Sequence, residues 1–119
     1  MRTWYSAVVL AIHDKGPKRV ELQQIYAAIG KFRALSDHDR EPHPKYPQEN
    51  FKHTTRSVLV KLKKYGLVEQ DDRAVYSLAK KSVERIEAFG ADTYGRSVGG
   101  EIDLEELIAR LGFMRRKEA

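Results

Sequence analysis

The segment from Asn50 to Lys64 limits the possible folds of this chain more than any other, because its apolar residues recur with the period of a helix while the remaining positions are neutral or basic. At about 100° per residue, Phe51, Thr55, Val58, Leu59 and Leu62 gather on one side, which is the core face. Lys52, His53, Arg56, Ser57 and Lys64 lie on or near the other side, with Lys61 and Lys63 on its flanks and Val60 pointing outward. Such a helix must bury one face and leave the other to solvent or to a partner. The spacing predicts a helix over 48–65, with Asn50 capping its start and Gly66 in the left-handed position after its end. Leu67 to Gln70 and Ala74 to Leu78 have strand-like composition, and Asp71-Asp72-Arg73 between them suits a turn, so a β-hairpin should follow.

The preceding chain reads as two more helices. One spans about 3–15 and buries Trp4, Val8, Leu10 and Ile12; Gly16-Pro17 ends it, since proline disfavours helical geometry in the residue before it. Lys18 to Val20 can form a short extended pairing segment. The next helix covers 21–31, with Leu22, Ile25, Tyr26 and Ile29 as its stripe. From 33 to 48, Pro42, Pro44 and Pro47 and several charges indicate a long loop with room for one helical turn. Beyond the hairpin, Val83, Ile86 and Phe89 mark a helix over 79–89 that Gly90 stops, and 91–100 is a small-residue linker. Asp103 then caps a last helix, with Glu106 as its capping-box partner and Leu104, Leu107, Ile108 and Leu111 as its stripe. The expected fold class is mainly α with a small β-hairpin, residues 1–78 forming one domain and 79–119 a C-terminal helical extension suited to a homodimer contact.

Charge narrows the function. A chain of 119 residues is one domain in size, and its net charge is +5. Between Asn50 and Lys64 there is no acidic residue, so this helix forgoes the i,i+4 ion pairs that a merely solvated helix gains. A phosphate-rich partner relieves the resulting repulsion. The absence of cysteine removes disulfides and thiolate chemistry and fits a cytoplasmic protein. No apolar run approaches the length of a membrane span.

The order helix, extended piece, helix, loop, basic helix, hairpin resembles the winged-helix class of helix-turn-helix domains, from Thr3 to Leu78. Leu22-Gln23-Gln24-Ile25-Tyr26, Arg56-Ser57-Val58-Leu59, Leu62-Lys63-Lys64-Tyr65-Gly66-Leu67-Val68 and Val75-Tyr76-Ser77-Leu78 carry the resemblance. The ending Lys63 to Val68 is similar to that of small bacterial regulators and of winged-helix domains in restriction and phage-defence systems, and the proline-rich loop before a basic helix resembles forkhead domains. The resemblance implies double-stranded DNA as partner, with the first half of the basic helix in the major groove. Lys52, His53, Arg56 and Ser57 are then the groove residues, Arg56 able to grip guanine through two hydrogen bonds. Thr54 and Thr55 are placed to meet a phosphate near the helix start, and Lys61, Lys63, Lys64, Lys45 and Arg73 to contact the backbone. A small transcriptional regulator, nucleoid-associated if bacterial, is the expected function.

The expected turn departs from that pattern, because a wing that enters the minor groove usually carries Arg or Lys, whereas Asp71 and Asp72 would repel phosphate. This favours the alternative of a protein-binding adaptor, and the defence resemblance favours a DNA-targeting module beside a separate nuclease. Enzymatic readings have little to rest on. Asp37, His38, Asp39 and His43 lack the spacing of a metal site, and Gly95, Gly99 and Gly100 match no nucleotide-binding fingerprint. No cofactor is expected.

Overall fold

Seven consecutive residues of the first helix, Ser6 to Ile12, are buried, so α1 (Trp4–Asp14) is surrounded by the rest of the chain rather than lying on it. The computed structural model describes residues 3–45 and 48–90, with the side chain of Phe89 excepted. Thr3 caps α1 by accepting a hydrogen bond from the Ser6 backbone N–H at 3.4 Å. After α1 come β1 (Val20–Glu21), α2 (Leu22–Phe32), the single turn α3 (Asp37–Arg40), α4 (Asn50–Lys64), β2 (Val68–Asp72), β3 (Val75–Leu78) and α5 (Lys80–Phe89). The chain is therefore mainly helical with a small antiparallel sheet, the expected class.

The sheet has three strands in the order β1-β3-β2, so the extended piece before α2 pairs with the last strand, Val20 opposite Tyr76. This ties the hairpin to the front of the chain, reinforced by the Leu78 N–H donating to the Pro17 carbonyl at 3.1 Å. The turn before β1 leaves no room at Gly16, where a Cβ would stand 2.7 Å from the Lys18 nitrogen and 2.9 Å from Val20 Cγ2. Helices α2, α4 and α5 pack on α1. Ile25 and Ile29 of α2, Val58, Leu59 and Leu62 of α4, Leu67, Val68 and Leu78 around the hairpin, and Ile86 of α5 complete the core.

Three boundaries differ from expectation. The hairpin turn is Arg73-Ala74, and Asp71 and Asp72 belong to β2. A bulge between Gln70 and Asp72 accommodates the shift. The Asp71 carboxylate accepts a hydrogen bond from the buried Ser77 hydroxyl, and Asp72 Oδ1 accepts from the Arg73 N–H at 2.7 Å. Ala74 takes the left-handed conformation at φ 58°. Asn50 is the first residue of α4 rather than its cap, which is Glu49. Its backbone N–H donates to the Glu41 carbonyl at 2.8 Å and its side-chain amide donates to the His38 carbonyl at 2.8 Å, so Asn50 fastens α4 to α3. Finally, α5 lies in the segment assigned to the extension, yet Ile86 is 1% exposed and the buried Ser82 hydroxyl donates to the Leu67 carbonyl at 3.0 Å. It shares the core of 1–78.

No helix among the described residues is long and apolar enough to cross a membrane. The linker at 91–100, the leucine stripe of 104–111 expected to form a dimer contact, and the basic residues Arg110, Arg115, Arg116 and Lys117 lie outside the described residues.

Candidate nucleic-acid interface

The core face of α4 is as the helical period requires. Phe51, Thr55, Val58, Leu59 and Leu62 are buried, and Phe51 meets the Tyr26 ring of α2 edge-on at 6.0 Å. Thr55 cannot serve as a phosphate contact, because it is 0% exposed and its hydroxyl donates back to the Phe51 carbonyl at 2.8 Å. Neighbouring Thr54 is half-buried. Gly66, at φ 78°, takes the left-handed position after the helix.

The outward face is formed by Arg56, Ser57, Val60, Lys61, Lys63 and Lys64, all exposed, with His53 half-exposed beside them. α4 itself carries no carboxylate. Lys52 is turned toward the fold: its ammonium pairs with Glu49 at 3.2 Å and lies 5.5 Å from the centre of the Tyr26 ring. It is thus a flank residue, with its charge already partly answered. Lys63 donates to Gln70 Oε1 at 2.8 Å, which links the far half of α4 to the hairpin. Lys61 stands 6.0 Å from the Tyr5 ring, and Lys64 stands 5.5 Å from the Tyr65 ring. These contacts steady the long stems without neutralising the ammonium groups.

At the start of α4 the structure joins two residues that are ten positions apart in the chain. The rings of His43 and His53 stack with centroids 4.5 Å apart and planes tilted by 47°. The loop is folded back to allow this, with the His43 N–H donating to the Gln48 carbonyl at 2.8 Å. Lys45 is held at the same spot, its N–H donating to His43 Nδ1 at 3.0 Å. Partial burial, then the His53 imidazole, then the Lys45 ammonium push the His43 pKa below its ordinary value. Deeper under the face, burial raises the Tyr26 phenol; the nearby Arg56 guanidinium opposes the rise, and Tyr76 adds to it. Among the described residues no group of three or more His, Cys, Asp or Glu is placed to hold an ion.

The hairpin borders the face differently from expectation. Asp71 is bonded to Ser77 and Asp72 within the turn, and the tip presents Arg73 with both carboxylates exposed beside it. Side chains alternate along β2, so Gln70 faces α4 while Glu69 faces away. Gln70 and Tyr76, with Leu59, Val60, Lys63 and Lys64, line a cleft of about 380 Å³ between helix and hairpin. Glu69 instead joins Glu84 and Glu87, together with Lys18 and Lys80, around a separate groove floored by Pro17, Leu78 and Val83. Glu69, Glu84 and Glu87 are in this way grouped at a groove apart from the α4 cleft.

Of the sequence-derived residues, Arg56, Ser57, Lys61, Lys63 and Lys64 share one surface, His53 and Lys45 adjoin it through His43, and Arg73 stands at the hairpin tip. Gln70, Tyr76 and His43 were not assigned to this surface, because their places depend on strand register and loop closure rather than on helical spacing. No family profile, curated protein or solved structure matches this chain.

Proposed function

We propose that this chain is a winged-helix DNA-binding protein that reads the major groove of duplex DNA with α4, and that it serves as a small transcriptional regulator. The observation that carries the reading is the outward face of α4: five exposed or half-exposed cationic and imidazole side chains (His53, Arg56, Lys61, Lys63, Lys64) on a helix without a carboxylate, whose opposite face is locked in the core. A rigid helix of 15 residues flanked by a hairpin suits the major groove, which admits one α-helix.

In this reading Arg56 and Ser57 reach base edges, and Lys61, Lys63, Lys64, Lys45 and Arg73 meet phosphates on either side. Base contacts set the sequence and phosphate contacts set the register. Helices α1 and α3 hold α4, and the Lys63–Gln70 hydrogen bond couples it to the hairpin. Asp71 and Asp72 stay exposed in β2 beside the Arg73-Ala74 turn, so Arg73 is the phosphate contact the hairpin offers and its carboxylates still favour the alternative of a protein-binding adaptor.

Selection from a random duplex pool tests the proposal, followed by binding of the selected duplex to the parent and to Arg56→Ala/Lys64→Ala. Loss of a bidentate Arg–guanine contact costs about 1–3 kcal/mol, or roughly 5–150-fold in affinity, and relaxes one base position. Both substituted side chains are exposed, so the fold should melt as the parent does. Equal binding by parent and variant would remove α4 from the interface.

A further inference from the structure

Val60 is the one exposed large apolar side chain among the described residues, at 67% exposure, and it lies on the crest of the α4 face. Arg56 and Ser57 precede it by one turn and Lys63 and Lys64 follow by one turn, so it is surrounded by cations on its own helix. Nothing in the fold asks for valine there. It fills no core space, and β-branching makes it a weaker helix former than the lysines around it. Its apolar surface continues into the cleft formed by Leu59 and Tyr76.

The surroundings decide what such a residue can touch. An apolar protein surface laid on Val60 would also cover the neighbouring guanidinium and ammonium groups, and burying unpaired charges is expensive. The major groove offers the opposite arrangement, with phosphates along both rims and, between them, one kind of apolar group, the C5-methyl of thymine. We infer that Val60 is a specificity-determining residue that packs on a thymine C5-methyl, so that the recognised site contains a thymine next to the position read by Arg56. This inference rests on the assignment of α4 to the major groove.

The test uses the full chain and the duplex obtained by selection, alongside the same duplex with every thymine replaced by deoxyuridine, which deletes only the methyl groups. The parent should bind the uracil duplex about fourfold more weakly, the effect of one buried methyl. Val60→Ala should melt at or slightly above the parent, bind the thymine duplex more weakly, and no longer distinguish the two duplexes. Equal binding of both duplexes by the parent overturns the inference while the DNA reading stands. A full thymine preference retained by Val60→Ala overturns it too, because the methyl is then read by another residue. Absence of any mobility shift on duplex DNA at low salt removes the groove assignment and the inference together.

Discussion

Replacing Ile86 by alanine should destabilise the whole domain, although Ile86 lies beyond the hairpin in a segment whose sequence reads as an extension. The side chain is 1% exposed and belongs to the same buried cluster as α1, α2 and α4. Ser82 and the Ala79 N–H both bond to the Leu67 carbonyl, at 3.0 and 3.1 Å, so α5 cannot swing in to fill the gap without breaking those bonds. Transfer and cavity terms then add, and a loss of about 3 kcal/mol is expected. In a domain of this size that lowers the melting temperature by roughly 12–24 °C and the urea midpoint by roughly 1–3 M. Thermal melts followed by circular dichroism, with Glu84→Ala as control, make the measurement. The control removes only the exposed Lys80–Glu84 pair at 3.9 Å and should change stability by less than about 0.5 kcal/mol. A single transition shifted by Ile86→Ala is the expected outcome. If the main transition does not move, or a second one separates from it, α5 is an independent appendage and does not help hold α1 behind the α4 face.

Ala74→Gly should raise stability by about 1 kcal/mol, because alanine at φ 58° carries a left-handed penalty that glycine does not; a lower melting temperature would contradict the turn geometry. Duplex binding should weaken with salt at a log–log slope of about −4 to −5, as expected if Lys45, Lys61, Lys63, Lys64 and Arg73 each displace one counterion, and Lys61→Ala should reduce the slope by about 1. His43 should titrate below 6.5 by nuclear magnetic resonance, and His53→Asn should bring it only part of the way back, since partial burial is the larger cause. Because the folded state favours neutral His43, its contribution to stability is complete above 6.5 and is lost as the pH falls through that value and on through the lowered folded one. A denaturation series from pH 8 to 5 on the parent and His43→Gln checks that sign.

The helices were legible from the sequence because helical periodicity is local. The stripe of Phe51, Thr55, Val58, Leu59 and Leu62, the left-handed Gly66 and the outward Val60 all follow from residues within a few turns of one another. The three-residue offset of Ser36 and Asp39 likewise closes the capping box of α3, the helical turn for which the loop had room. What only the tertiary structure decided depends on partners far away in the chain. Ser77 bonds Asp71 within β2 and the turn falls on Arg73-Ala74, which puts Arg73 at the hairpin tip beside two exposed carboxylates. Glu41 and His38 take Asn50 from the capping position, and Glu49 with Tyr26 turns Lys52 toward the fold. The contact of His43 with His53 requires the loop to close on itself. In each case a hydrogen bond, an ion pair or a ring contact between separate elements outweighs a local preference worth about 1 kcal/mol. The local pattern thus settled which face of α4 is free, and long-range contacts settled which charges stand beside it.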